Sequence, residues 1–276
     1  MGDCKFCGLP AGFLKSEHQE CAEKYQQGIE EITGFYKDSL NGNLAWEDVR
    51  TRVKEATDLS KIPAEQADAV MVAVWEQAVE SFLEDKELDV EEENNLTSYK
   101  ANFDLTESDL DLNGMYTRFI QGIVLRELME GKIPQRFNYN GLPFNFQKSE
   151  TLIWAFWDVD YLEDKTKREY RGGSSGVSVR IARGVYYRTG GFRGTPIETT
   201  ERKHIGTGIM AVTNKHIYFA SDNKNFRVRL DKIVTFTPFK DAVGIQSDSA
   251  SSKPQFFITG EGWFTYNLLV NAANVE

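Results

Sequence analysis

The chain has 276 residues, a hydrophobic fraction of 41% and a formal net charge of −10, which is enough length and apolar content for two ordinary cores. The charge is uneven, with 29 acids against 15 bases in residues 1–150 and 13 against 17 in residues 151–276, and this predicts a boundary near residue 150 while arguing against a nucleic-acid partner for the acidic front. No apolar run is long enough for a membrane span, and the opening Met1-Gly2-Asp3-Cys4 lacks a basic region followed by an apolar stretch, so a cytoplasmic, unexported chain is expected.

All three cysteines fall in the first 21 residues, where one of the three histidines joins them as Cys4-x2-Cys7-x10-His18-x2-Cys21. Two ligand pairs at two-residue spacing, separated by a short Gly/Pro-containing loop, match the layout of a closed tetrahedral zinc site. Cys4, Cys7, His18 and Cys21 are therefore the expected ligands of one structural Zn2+, which folds the N-terminus and does not activate water. The plain alternative is three reduced cysteines beside a surface histidine. Cys4-Lys5-Phe6-Cys7-Gly8 resembles a zinc knuckle, and with a helix opening at the second pair the segment is similar to a treble-clef finger. The helical pattern then continues through Tyr25, Ile29, Ile32 and Phe35.

Gly42 and Asn43 break that helix. Trp46, Val49 and Val53 suggest a second one, and Pro63 opens a third, in which Ala67, Val70, Val74, Trp75, Ala78 and Phe82 recur at three and four. Trp75 and Met71 read as core side chains and not as a cofactor box. Between Glu84 and Asp111 lie 11 acids and two bases. Asp89-x-x-Glu92 and Thr106-x-x-Asp109 look like capping boxes, predicting short helices that begin at about 90 and 107. The run Phe82 to Leu96 resembles the turn and helix start of TerB-like helical domains over about residues 65–136, although Asp85-Lys86 stands where that family has Asp-Gly. Asp109, Asp111, Asn113 and Gly114 fit the first six positions of a calcium loop, but the twelfth is Ile120; a register starting at Asp85 puts Val90 at the sixth and Leu96 at the twelfth. Asp85, Asp89, Asp109 and Asp111 are thus the candidates for a second divalent ion, against the plainer reading as solvated helix caps. A last helix, Met115 to Met129, stops at Gly131 and Pro134. The aromatic stretch that follows reads as a linker lying against one domain.

After Thr151 the period switches to two, in runs around residues 152–156, 177–181, 185–187, 226–230, 234–236, 243–245 and 256–258. Gly206 to Ala220 reads as a hairpin. Ile209, Ala211 and Thr213 form one arm, Ile217 and Phe219 the other, and Asn214-Lys215 is a turn in which Asn tolerates positive φ. Trp263 to Ala273 reads as a terminal amphipathic helix. The hairpin string Gly206 to Phe219 resembles GRAM and bacterial PH-like domains, and the resemblance covers residue 151 to the end. It implies a binding module built as a seven-stranded barrel capped by a C-terminal helix.

The expected architecture is an α+β multidomain chain: zinc knuckle plus helix (1–42), acidic helical domain (43–137), linker (138–150) and PH/GRAM-like barrel (151–276). No His-Glu-x-x-His, phosphate loop or Gly-x-Ser-x-Gly is present, and His204 and His216 read as ordinary strand histidines. A noncatalytic zinc-containing adaptor binding a protein partner through its PH-like and helical domains is expected. One alternative is a metal-dependent enzyme or divalent-ion sensor centred on residues 84–111. Another is peripheral binding of anionic lipid, which the PH-like resemblance places at Lys165, Lys167, Arg168 and Arg171, in a loop between early strands. Asp158, Asp160, Glu163, Asp164 and Glu169 crowd that segment and favour the protein partner.

Overall fold

A computed structural model describes residues 2–13, 15–84, 88–135, 141–171, 177–182, 185–189, 195–249 and 252–275, with the backbone alone at 84, 165–171, 177–182, 185–189 and 195–200. The chain divides into two compact units, Met1–Glu127 and Leu128–Glu276.

The first unit is helical: α1 (Gln19–Leu40), α2 (Trp46–Ser60), α3 (Ala64–Glu84), α4 (Val90–Asn102), α5 (Glu107–Leu110) and α6 (Met115–Met129). On α1 the buried residues Gly28, Ile32, Tyr36 and Leu40 recur every fourth position and so form one stripe. Gly28 is where α1 meets the end of α2, because a Cβ there would stand 2.4 Å from Ser60 Oγ. α3 sits at the centre of the core. Its Trp75 is fully buried and donates its indole N–H to Leu96 O at 3.1 Å, while Tyr99 donates its hydroxyl to Met71 O at 3.1 Å. These two bonds tie α4 to α3 by polar handles on otherwise apolar rings. Tyr99 and Tyr36 each pack against Phe103, with ring centroids 4.6 and 5.3 Å away.

Both capping boxes form. The Asp89 carboxylate accepts the Glu92 amide at 2.8 Å and the Glu92 carboxylate accepts the Asp89 amide at 2.9 Å. Thr106 and Asp109 exchange the same pair of bonds at 3.2 and 2.8 Å. Hydrogen bonds from Thr106 hold the Asp109 carboxyl below the usual carboxylate range.

In the second unit, β1 (Leu152–Arg171), β2 (Val177–Ala182), β3 (Val185–Thr189), β4 (Thr195–Thr213), β5 (His216–Ser221), β6 (Asn225–Arg229), β7 (Ile233–Pro238), β8 (Ala242–Ser247) and β9 (Gln255–Ile258) are followed by α7 (Gly262–Ala272). Seven strands form one antiparallel sheet in the order β6-β5-β4-β1-β9-β8-β7, and β2 and β3 form a separate two-stranded sheet among the described residues. The sheet is not closed into the expected barrel: β6 and β7 are its two ends and do not pair with each other. The bend that does occur sits on β1, where the register shifts between Phe156 and Val159 and Asp158 takes a φ of 54°.

Along β1 the residues Ile153, Trp154, Ala155 and Phe156 are all buried. Simple alternation forbids this on a one-faced sheet, so both faces must be covered. α7 covers one, with Phe264 packing at 4.9 Å from Trp154 and 5.9 Å from Phe156. The other is covered by residues 141–150, an extended strap whose Leu142, Phe144 and Phe146 pack against Ala155, Ala211 and Tyr218. The β4–β5 turn has no left-handed asparagine, the non-glycine residues of positive φ being Lys61, Asp104 and Asp158 among the described residues. Its amides are satisfied by a side chain instead: Thr213 Oγ1 accepts the amides of Lys215 at 3.1 Å and His216 at 2.9 Å.

The strap is fastened by Glu150, whose side chain has no exposed surface. Its carboxylate accepts hydrogen bonds from the Tyr218 hydroxyl at 2.6 Å and the Gln147 amide at 2.7 Å, and pairs with His216 Nδ1. Burial opposes ionisation, but these bonds outweigh it and hold the carboxyl below its ordinary value. No helix among the described residues is long and apolar enough to cross a membrane.

Asp89→Ala and Thr106→Ala should each cost about 1 kcal/mol through loss of a cap, measured by urea unfolding followed by helical circular dichroism. Unchanged unfolding midpoints would refute the capping role. Glu150→Ala should cost roughly 1–3 kcal/mol in the sheet unit, because it removes the acceptor that the buried Tyr218 hydroxyl and His216 ring share. Since the Glu150 carboxyl titrates below its ordinary 4.5 in the folded protein, its contribution is complete above that pH and is lost as pH falls through the lower folded-state value. The stability gap between wild type and variant should therefore narrow on acidification, and a gap that widened would contradict the assignment.

Candidate metal centre

Residues 2–18 place the donors through a short backbone frame. Asp3 and Pro10 form an antiparallel bridge, Cys4 donates its amide to Leu9 O at 2.7 Å, and Gly8 turns the chain at φ 71° while donating to Cys4 O at 2.8 Å. This tight turn puts Cys4 and Cys7 on one side. His18 is the N-cap of α1 and Cys21 lies in its first turn, so the second pair is carried by a helix start.

The three sulfurs and the His18 ring nitrogen all lie within 4.8 Å of one another. His18 Nδ1 stands 3.4 Å from Cys7 Sγ and 3.8 Å from Cys21 Sγ, and a tetrahedral ion with sulfur bonds of ~2.3 Å needs donor separations of about 3.8 Å. His18 Nε2 lies 3.1 Å from Pro10 O. A carbonyl can only accept, so Nε2 carries the proton and the Nδ1 lone pair points at the sulfurs. That is the tautomer a metal ligand requires, fixed by a backbone group behind it. The cluster could hold a metal ion.

Electrostatics agree with that fit. Burial disfavours ionisation of Cys4, but hydrogen bonds from the backbone of Cys7, His18 and Phe6 outweigh it and bring its thiol down to about 6; the His18 amide lies 3.4 Å from Cys4 Sγ. Cys21 is pushed up to about 11 by burial and then by the neighbouring sulfurs of Cys7 and Cys4. Several thiolates cannot crowd together uncompensated, and a divalent cation at their centre removes the repulsion.

The other candidate residues are dispersed. Asp89 and Asp109 cap α4 and α5, and Asp111 accepts the Thr117 amide at 2.8 Å and its hydroxyl at 2.9 Å at the start of α6. Each carboxylate serves a different helix start, and Asp85 lies outside the described residues. Among the described residues, the Cys/His cluster is the one group of three or more such side chains arranged to hold an ion. Lys165, Lys167, Arg168 and Arg171 lie on strand β1 and not in a loop, in register with Glu201, Thr199, Glu198 and Thr195 of β4; their side chains fall outside the description.

Two histidine pairs escape sequence reasoning. His204 Nε2 lies 3.0 Å from Asp160 Oδ1, and His216 meets Glu150. The partners are 44 and 66 residues apart; the β1–β4 register brings the first pair together, and the second meets where the strap reaches β5. An alternation signal for the second did exist in the strap, at Leu142, Phe144 and Phe146.

Cys7→Ser should lower the metal content of purified protein well below the ~1 ion per chain expected of a closed site, and should raise amide exchange in residues 2–18 while leaving the sheet unit protected. Equal metal content in wild type and variant would remove Cys7 from the ligand set. No protein-family model matches the chain, and comparison with curated proteins and with solved structures returns no similar protein.

Proposed function

We propose that the protein is a noncatalytic adaptor whose N-terminus is held by a structural zinc ion and whose helical and PH/GRAM-like units recognise a protein partner. The observation that carries this reading is the closure of the metal cluster: four protein donors leave an ion no open position for a substrate or activated water. Three thiolates and one imidazole in tetrahedral reach are a donor set that suits zinc. Seven antiparallel strands followed by a C-terminal helix support the PH-like reading of the sheet unit, although its ends stay open. The engagement of Asp89, Asp109 and Asp111 in helix capping weighs against an enzyme or ion sensor built on the acidic helices.

The test has two arms. After extensive dialysis the full chain should retain about one zinc and no tightly held magnesium, manganese or calcium. Cross-linking in the native host followed by purification should give a stoichiometric complex with a defined protein, and anionic vesicles at physiological salt should not sediment the chain. Strong vesicle binding that disappears in Lys167→Glu/Arg168→Glu would shift the reading to lipid, and a second tightly bound divalent ion would shift it to the acidic helices.

A further inference from the structure

α3 is more apolar than one buried face requires. Its core stripe includes Ala67, Val70, Val74, Trp75 and Val79. A second stripe, Ala69, Val72, Ala73 and Glu76, recurs at three and four on a different side, and its positions lie outside the fully buried class. This stripe forms one wall of a groove of about 640 Å³, whose opposite wall is the α4–α5 corner and the turn into α6. Val72, Leu105 and Leu112 give it an apolar surface, and Leu112 is 82% exposed. A second depression of about 430 Å³ shares Asp68, Met71, Phe103 and Asp104 with it, so the groove continues toward α2.

The rim of the larger depression is acidic: Glu65, Asp68, Glu76, Asp104 and Asp109 line it, and no lysine or arginine does among the described residues, whereas Arg50 and Lys54 line the second depression on the α2 side. Asp104 pairs with Arg50 at 3.0 Å, and Glu76 accepts a hydrogen bond from Asn113 at 3.0 Å. Glu65 and Asp68 have no basic partner among the described residues. An apolar trough between carboxylates matches a ligand that carries both apolar anchors and flanking cations.

We propose that this groove receives a basic amphipathic helix of a partner protein, an inference that rests on the adaptor reading. The shape selects a helix. From Glu65 to Glu76 the wall runs roughly 16 Å, about three helical turns. The small side chains of Ala69 and Ala73 let a second helix axis come close, and apolar anchors at i, i+3, i+4 and i+7 would meet Val72, Leu105 and Leu112 while lysines or arginines beside them reach the rim.

The test uses the full chain and a fluorescein-labelled synthetic helix of about four turns, with leucines on one face and lysines elsewhere. Two controls accompany it: a scramble of the same composition, and a version with glutamate for lysine. Anisotropy titration at physiological salt should show saturable binding of the amphipathic helix, with both controls weaker by about tenfold or more. Asp68→Lys and Leu112→Ser, both at exposed positions, should each weaken it by about tenfold while helical circular dichroism and metal content stay unchanged. No binding, equal binding of the scramble, or binding indifferent to both substitutions would overturn the proposal. So would sedimentation showing that wild-type chains self-associate through Leu112, or co-sedimentation of the peptide-free chain with anionic vesicles that Leu112→Ser abolishes. If the cross-linked partner is captured equally by wild type and by Asp68→Lys/Leu112→Ser, the groove assignment falls and the adaptor reading stands. If the peptide binds as expected and no partner complex forms in the host, the groove assignment stands and the adaptor reading falls.

Discussion

A carboxylate taken out of water is tolerated only when its oxygens are matched by donors, and the sheet unit is arranged around one such group. Glu150 has no exposed side-chain surface and finds Tyr218, the Gln147 amide and His216. Tyr218 and His216 stand on the same strand, β5, two residues apart, and so share one face of the sheet, from which both reach the one carboxylate. The Glu150 bonds fix where the chain enters the sheet. Thr151 then donates its amide to Asn214 Oδ1 at 2.9 Å and accepts the Asn214 amide at 3.1 Å, which sets β1 against the β4–β5 turn. With that entry fixed, Phe144 and Phe146 pack against Tyr218 from 5.5 and 5.2 Å. The buried Glu150 carboxylate therefore ties the strap to β5 at the point where the chain enters the sheet.

Local signals were legible and long-range ones were not. The caps at Asp89 and Thr106 are visible in sequence because a side chain and an amide three residues apart must meet at a helix start. The Cys/His spacing is legible for the same reason, since each ligand pair is brought together by one turn. The runs from β5 to β9 alternate clearly enough to be placed within a residue or two. By contrast, the length of β1 and β4 is hidden: residues 165–171 are rich in charge and end at a Gly/Ser stretch, so they read as loop, yet they pair with 195–201. Closure of the barrel was an expectation drawn from resemblance, and no local pattern in β6 or β7 encodes a partner. The strap was legible as an aromatic linker lying against one domain, and its alternate apolar residues pack on the sheet as that reading expects; its fastening through Glu150 was not legible.

The two ends of the helical unit are stabilised by different means. From Ile32 to Ile123 a continuous set of buried side chains supplies the core. Among the described residues of the first 18, the buried apolar side chains are Cys4 and Ala11, while Leu9 and Phe13 are 64% and 80% exposed. Such a segment cannot hold itself by apolar burial, and the Cys/His cluster could hold a metal ion that would keep so short a piece of chain in one conformation.

The sheet connects residues far apart in time as well as in sequence. β1 pairs at Asp160–Glu163 with Gln255–Ile258 of β9, and α7 follows that strand. During synthesis the helical unit can pack as its last helix emerges, since the cluster of buried side chains that forms its core lies within residues 32–123. The sheet cannot: its central strand waits for nearly a hundred further residues before its second partner exists, and its apolar face waits longer for α7. Pairings of such separation close slowly, so β1 and β4, joined to each other but uncovered, are the portion of a nascent chain that most needs shielding from premature association.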